Sequence, residues 1–304
     1  MAYISMESSI DNSIDISIES PIERSIEKSV LYVVATPIGN LKDVTYRAVE
    51  VLSQVDHIAA EDTRHSARLL KHYQIHTPCF ALHEHNERQI AHSIIEKIQQ
   101  GESWALISDA GTPVISDPGY FLIKEARDQG VKVVPIPGPN AAITALSASG
   151  MPSDRFVFEG FLPAKTVARQ NHLRDLVAES RTLVFYESPH RLLASLQDMI
   201  DVLGGERQAV FARELTKTYE TIRQGSLERI QQWIMSDSQQ LKGEMVFIVA
   251  GAATSQMAGR DQADLVLGVL LEELPVSQAA QLASKITGVK KNELYQKALA
   301  MKSL

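Results

Sequence analysis

Two proline- and glycine-studded segments constrain this chain most: Ser108-Asp109-Ala110-Gly111-Thr112-Pro113-Val114-Ile115-Ser116-Asp117-Pro118-Gly119 and Pro135-Ile136-Pro137-Gly138-Pro139-Asn140-Ala141-Ala142. Each follows a short apolar run, Trp104 to Ile107 and Val131 to Val134, and precedes a helix-like stretch. Each therefore sits where a parallel strand hands over to a helix, which is where open α/β sheets bind ligands. Proline fixes φ and removes a donor, whereas glycine lets backbone approach a ligand closely, so such loops suit a small molecule better than a packed core. Leu31-Tyr32-Val33-Val34-Ala35 followed by Thr36-Pro37-Ile38-Gly39-Asn40 repeats the pattern. Three ordinary βα turns are the alternative.

A length of 304 residues accommodates two core-bearing domains and a small third. The lone Cys79 cannot form an intramolecular disulfide, and no segment has the apolar length of a membrane span or a signal-peptide core, so the expected compartment is the cytoplasm. A formal charge of −7 argues against wholesale wrapping of nucleic acid and leaves local basic faces open.

In the first thirty residues Ile10, Ile14, Ile18, Ile22, Ile26 and Val30 recur every fourth position, with acids in the same register from Glu7 to Glu27. Pro21 and the many serines oppose a helix, so residues 1–30 read as a disordered low-complexity extension. From 31 to 150, strands near 31–35, 56–60, 79–82, 104–108 and 131–135 alternate with helical patterns such as Asn86 to Gln100, for which Asn86 is the expected N-cap and Gly101 the C′ residue. This is a parallel, doubly wound α/β domain. Met151-Pro152-Ser153-Asp154 reads as a linker into a second α/β domain, 151–257. Its apolar runs at 156–158, 182–186, 209–212, 219–222 and 245–249 are not each separated by a helix, which predicts a mixed sheet. Residues 258–304 read as a small helical, helix-turn-helix-like domain broken at Pro275 and near Thr287-Gly288, with Ser277 as a cap and Leu294, Ala298 and Leu299 inward.

No G-x-G-x-x-G and no G-x-x-x-x-G-K-[ST] occurs, which argues against a phosphate-cradling loop. The loops instead combine glycine with small side chains and Asp109, a set suited to a ligand with positive charge and an adenosine-like face. Seven of the nine histidines lie between His57 and His92, yet a metal site wants three or four convergent ligands, so no metal is expected. Ala60-Glu61-Asp62-Thr63-Arg64 is either a helix start capped by Asp62 or a set of cleft-facing polar groups. Phe185 to Arg191 and Ala212 to Glu220 each place charges just after an apolar strand. Phe161 to Arg174 holds Lys165, Arg169 and Arg174 with no acid, and Val276 to Leu304 holds five lysines against Glu293. Lys165, Arg169, Lys290, Lys291 and Lys297 are therefore the candidate phosphate contacts, RNA-binding on the resemblance given next, with a plain solvated helix face as the alternative for the tail.

Thr36-Pro37-Ile38-Gly39-Asn40-Leu41, Ala60-Glu61-Asp62-Thr63-Arg64, Ser108-Asp109-Ala110-Gly111-Thr112-Pro113, Pro137-Gly138-Pro139, Phe158-Glu159-Gly160-Phe161-Leu162-Pro163, Tyr186-Glu187-Ser188, Ala212-Arg213-Glu214-Leu215-Thr216-Lys217 and Gly288-Val289-Lys290-Lys291-Asn292 together resemble the tetrapyrrole-methylase superfamily. Within it they resemble the bacterial branch that methylates a cytidine 2′-hydroxyl of 16S rRNA. The resemblance runs from Leu31 to Leu304 and leaves out the N-terminal repeat. It implies S-adenosylmethionine held in a cleft between two α/β domains, a homodimer, and a ribose hydroxyl in the decoding centre of the 30S subunit as substrate. Carried over, the cofactor would meet Pro37, Gly39, Ser108, Asp109, Ala110, Gly111, Asn140, Ala141, Tyr186, Glu187 and Gly243. Methyl transfer from a sulfonium is an in-line displacement in which positive charge disappears, so positioning dominates and no metal is needed. A ribose hydroxyl is a poor nucleophile near neutral pH, and Glu187, Glu61, Asp62 and Lys217 are the candidate bases, unranked. A porphyrin methylase and a non-catalytic nucleotide-sensing module are the alternatives.

Overall fold

The computed structural model describes residues 26–252 and 256–302, so most of the N-terminal repeat, residues 1–25, lies outside the described residues. The chain divides into two compact units. The first holds β1 (Val30–Val34), α1 (Tyr46–Gln54), β2 (His57–Ala60), α2 (Thr63–His72), β3 (Cys79–Ala81), α3 (Glu87–Gln99), β4 (Trp104–Ile107), α4 (Tyr120–Asp128) and β5 (Lys132–Ile136). All pairings in its sheet are parallel, in the order β3-β2-β4-β1-β5. Leu31, Val34, Ile58, Ala59, Ala60, Leu106 and Ile107 are buried, the near-continuous apolar pattern of a sheet covered on both faces.

The strand order locates the one place where this sheet can open. The connection from β1 runs toward β2 and β3, whereas that from β4 runs the other way, to β5 beyond β1. Neighbouring β1 and β4 therefore send their loops in opposite directions, which is a topological switch point. Asn86 stands at the N-terminus of α3 but does not cap it: its Oδ1 accepts from the His83 amide at 2.8 Å and its Nδ2 donates to the Ala81 carbonyl at 3.1 Å. The side chain closes the β3–α3 loop instead. Gly101, at φ +108°, ends α3 as expected.

The second unit comprises residues 35–45, 108–117 and 137 onward. It contains α5 (Ala141–Ser149), β6 (Phe156–Phe161), α6 (Thr166–Asp175), β7 (Thr182–Glu187), α7 (Leu192–Leu203), β8 (Gln208–Arg213), β9 (Thr221–Ser226), α8 (Leu227–Ser236), β10 (Met245–Val249), α9 (Gln256–Glu273), α10 (Val276–Thr287) and α11 (Lys291–Lys302). Its sheet, β6-β7-β10-β8-β9, is mixed as expected: β6 and β7 are parallel and the other pairs antiparallel. The run expected at 219–222 begins later, at Thr221, because Glu214 to Glu220 is spent on a loop.

Strand alternation gives this sheet two distinct faces. Phe185, Phe211 and Phe247 meet Leu173, Leu196, Met199, Ile230 and Ile234 on one. Val184, Val210, Ala212, Val246 and Ile248 meet Ala142, Ala145 and Leu146 of α5, together with Ile38 and Leu215, on the other. By packing, then, α5 belongs with the second sheet although it precedes the linker at 151–154.

The last three helices close on a core of their own: Ala263, Leu267, Ala279, Ala280, Ala283, Leu294 and Ala298. Gly288, at φ +74°, makes the turn before α11. Two expectations change here. Helix α10 begins at Val276 with Pro275 at its N-cap, so Ser277 lies inside the helix, and Leu299 is 41% exposed rather than inward.

Arg169 is a further correction. Its side chain is 3% exposed and that of Asp198 6%. Its Nε donates to Asp198 at 2.6 Å while a terminal nitrogen donates to the Ala164 carbonyl at 3.2 Å, and Gln170 donates to the other carboxylate oxygen at 2.7 Å. A guanidinium held in this way ties α6 to α7 and cannot reach a phosphate. Because losing one partner leaves a buried charge uncompensated, Arg169→Ala should lower unfolding stability by about 3–5 kcal/mol in a urea titration, whereas Lys165→Ala, on an exposed residue, should change it little.

Candidate functional site

The second unit brings three glycine- and proline-rich loops together. Thr36 and Gly111 exchange two backbone hydrogen bonds, at 2.8 and 3.0 Å, and the Thr36 hydroxyl donates to the Ser108 carbonyl at 3.2 Å. The Thr112 hydroxyl donates to the Pro139 carbonyl at 3.0 Å. A Cβ on Gly138 would lie 2.9 Å from the Ala35 Cβ, so the third loop presses against the first. Gly111 itself sits at φ +87°, open to glycine and strained for other residues, and a Cβ there would stand 3.4 Å from Ile38 Cγ2.

The first loop also abuts a fourth. A Cβ on Gly39 would lie 2.5 Å from Lys217 Cγ, 2.8 Å from Thr216 Oγ1 and 3.0 Å from the Leu215 carbonyl oxygen. Lys217 donates to Glu214 at 2.8 Å and to Glu244 at 3.0 Å, and Glu214 also accepts from the Glu244 amide at 3.0 Å. Gly243, at φ +87°, lies against the Glu214 carboxylate. Despite the opposing cost of burial, these partners hold the Lys217 ammonium above the ordinary lysine range and the Glu214 carboxyl below the ordinary carboxylate range. Lys217 is thus a fixed cation, unsuited to take a proton near neutral pH.

Tyr186 closes the set from β7. Its hydroxyl oxygen accepts from the Ala142 amide at 3.3 Å, beside the N-cap Asn140, whose Oδ1 accepts from Ile143 at 3.1 Å. Phe158 and Phe161 stand edge-on to its ring at 5.0 and 5.5 Å. The adjoining Glu187 side chain is 0% exposed: one oxygen accepts from the Ser188 amide at 2.7 Å and from Arg191 at 2.9 Å. The other oxygen, like Ser108 Oγ and Thr216 Oγ1, is buried with no hydrogen-bond partner among the described residues. Buried polar groups in that condition call for an explanation, and a polar ligand is one.

Pro37, Gly39, Ser108 to Gly111, Asn140, Ala141, Tyr186, Glu187, Lys217 and Gly243 therefore belong to one unit. Glu61 and Asp62 belong to the other. Of the two readings open for Asp62, the cap is what forms: it accepts from the Arg64 and His65 amides at 2.8 and 3.4 Å, which hold its carboxyl below the usual range. Sequence reasoning missed the backbone strain. Val114, Ser116, Glu214 and Thr216 all have positive φ, between 51° and 75°, and none is glycine, so no residue type signals it. Among the described residues no group of three or more His, Cys, Asp or Glu could hold a metal ion, and no helix is long and apolar enough to cross a membrane.

The family model for tetrapyrrole (corrin/porphyrin) methylases matches residues 30–231, and one described as the RsmI C-terminal HTH domain matches 258–302. The chain belongs to the tetrapyrrole methylases. It is 57% identical over 271 residues to ribosomal RNA small subunit methyltransferase I of Pseudomonas aeruginosa, covering 88% of this chain and 96% of that protein. With the protein of the same description from Haemophilus influenzae the identity is 55% over 273 residues, covering 89% and 96%. Membership of this methyltransferase family follows from both. Among solved structures, diphthine synthase superposes with a TM-score of 0.55 at 13% identity, covering 73% of this chain and 90% of that one. Uroporphyrin-III C-methyltransferase from Thermus thermophilus, in complex with S-adenosylhomocysteine, gives 0.50 at 15%, covering 72% and 96%. These two share the fold.

The Glu214 cluster makes a pH prediction. A carboxyl whose folded value is depressed adds stability above its unfolded value, 4.5 for a free glutamate, and loses it as pH falls through the folded value. Glu214→Gln should therefore be less stable than the parent at pH 7 in a denaturant titration, with the gap closing as pH falls below 4.

Proposed function

We propose that this protein transfers the methyl group of S-adenosylmethionine to the ribose 2′-hydroxyl of a cytidine in the decoding centre of 16S rRNA, acting in the cytoplasm as a homodimer on the 30S subunit. The likeness to the small subunit methyltransferases, above half identity over nearly nine tenths of the chain, carries the substrate class. The knot of loops in the second unit supports the donor. Ser108 Oγ and the unpartnered oxygen of Glu187 offer buried polar atoms for an amino acid or ribose moiety, and Gly111, without a side chain, keeps the loop after β4 slim next to Ser108. Those residues fit a small zwitterionic, adenosine-bearing ligand.

S-adenosylmethionine supplies an electrophilic methyl group on a sulfonium. The chain's task is then to hold the two reacting partners in line and to accept the hydroxyl proton. Pro37, Gly39 and Ser108 to Gly111 are assigned to the cofactor, with Asn140, Ala141, Tyr186 and Gly243 at its margins. Lys217, already a cation between two carboxylates, is assigned to anchoring the Gly39 loop. The proton falls to a carboxylate, and Asp62 is a poor base because the α2 amides stabilise its charged form. That leaves Glu61 and Glu187 to be compared. Lys165, Lys290 and Lys291 are exposed and suit phosphate contacts, whereas Lys297 shares its charge with Asp264 at 2.5 Å.

Tritiated methyl transfer decides the substrate: label should enter 30S particles, at a cytidine 2′-oxygen on nuclease mapping, and label in uroporphyrinogen or in neither substrate would overturn the reading. Gly111→Val should abolish cofactor binding in calorimetry, since a β-branched residue resists φ +87° and would crowd Ile38. Lys290→Ala with Lys291→Ala should raise the apparent KM for 30S particles and leave cofactor affinity unchanged.

A further inference from the structure

Helix α2 carries charge of one sign only. Between Thr63 and His83 the chain has no Asp or Glu, while Arg64, Arg68 and Lys71 and four histidines fall within it. The other helices of the first unit mix their charges: Arg47 with Glu50 in α1, Glu87 and Glu96 with Arg88 and Lys97 in α3, and Lys124 and Arg127 with Glu125 and Asp128 in α4. A helix face that merely needs solvation looks like those three.

The stripe is also ordered in space. Ser66, Leu69 and Leu70 form the buried side of α2, and Arg64, Arg68 and Lys71 are all exposed. Spacings of four and three residues put them on one face, spread over about 10 Å at 1.5 Å per residue. His65 and His72 flank them and are exposed too. The Arg64 side chain is 92% exposed and, among the described residues, pairs only with Asp62, at 3.6 Å. Arg68 and Lys71 make no ion pair among the described residues.

Helix stability accounts for only part of this. The dipole of α2 is served by the Asp62 cap at its start and by Lys71 and His72 in its last turn, but it disfavours Arg64 and His65 in the first turn and gives nothing to Arg68 at mid-helix. A local preference overridden without a folding gain marks a functional surface. Three exposed cations in a row, two of them without an ion pair among the described residues, are complementary to a polyanion on a protein of net charge −7.

We infer that the exposed face of α2, through Arg64, Arg68 and Lys71, binds the phosphate backbone of the RNA substrate, a surface separate in sequence from the basic tail. The inference rests on the RNA-methylating reading above and extends it to a second point of contact. Such contacts position the substrate and carry no base specificity.

The test is the salt dependence of 30S binding, measured by co-sedimentation, which does not depend on methyl transfer. Each phosphate neutralised on single-stranded RNA contributes about 0.7 to the log–log slope, so Arg68→Gln with Lys71→Gln should flatten the slope by about 1.4. The charge-preserving pair Arg68→Lys with Lys71→Arg should keep most of it, and cofactor affinity should be the same in all three proteins. An unchanged slope in the Gln pair overturns the inference, as does weaker binding accompanied by lost cofactor affinity or a lowered melting temperature. Parallel 30S methylation by the unaltered protein separates the two claims. If it methylates nothing, the enzyme reading fails by itself, and the sedimentation series still decides whether α2 meets RNA.

Discussion

Thr36 and Gly111 exchange two backbone hydrogen bonds, and the geometry of the candidate site follows from that exchange. It fixes the loop after β1 against the loop after β4. Once these are joined, Ile38 is set into the apolar face of the second sheet, Gly39 meets Lys217, and Thr112 reaches the Pro139 carbonyl. Two net hydrogen bonds contribute only about 1 kcal/mol each. Four non-glycine residues with positive φ cost about 1–3 kcal/mol apiece, so the bridge cannot itself hold Val114, Ser116, Glu214 and Thr216 where they are. Burial does so. Ile38, Leu146, Val184, Val210, Leu215, Val246 and Ile248 are nearly or fully buried in one cluster, and a large aliphatic side chain contributes about 1.5–3 kcal/mol on burial. The strained loops are over-determined by the core beneath them.

Charge is placed according to what each residue must do. Arg169 and Asp198 are buried together with further hydrogen bonds, and their work is to join two helices. Lys217 is half-buried between Glu214 and Glu244, which keeps it cationic and steadies the loop it touches. Arg64, Arg68 and Lys71 are left in solvent, and among the described residues Asp62 is the one acid paired with any of them. Three basic groups that look alike in the sequence thus form a structural clamp, a loop anchor and the exposed face proposed above to meet RNA. Burial and partner, not residue type, separate them.

Much of the architecture is legible in the chain because it depends on short-range patterns. Apolar runs ending in Thr36-Pro37, Ser108-Asp109 and Pro137-Gly138 give the parallel strands and their loops, and closely spaced runs at 182–249 give a mixed sheet. The misreadings have local causes. Asn86 has the right residue type and position for a cap, but its side chain finds the His83 amide and the Ala81 carbonyl instead. Ser277 lost its capping place when Pro275, whose fixed φ suits a helix entrance, started α10 two residues earlier than a serine cap would allow. Leu299 follows the apolar period but falls at the edge of the three-helix core, where Leu294 and Ala298 already fill the space.

By itself the sequence determined the strands, the loops with their glycines and prolines, and the small helical tail, since each follows from backbone propensity and apolar period over a few residues. It also determined the membership of the tetrapyrrole methylases, which many short motifs in order specify. Tertiary structure alone decided which polar residues meet. That α5 packs on the second sheet, that Gly39 lies on Lys217, and that Arg169 is sealed against Asp198 while Arg68 is exposed all depend on residues from 29 to 178 positions apart being brought together or kept apart. Such pairings are chosen by competition among all the surfaces a chain can bury, and no local stretch of sequence records its outcome.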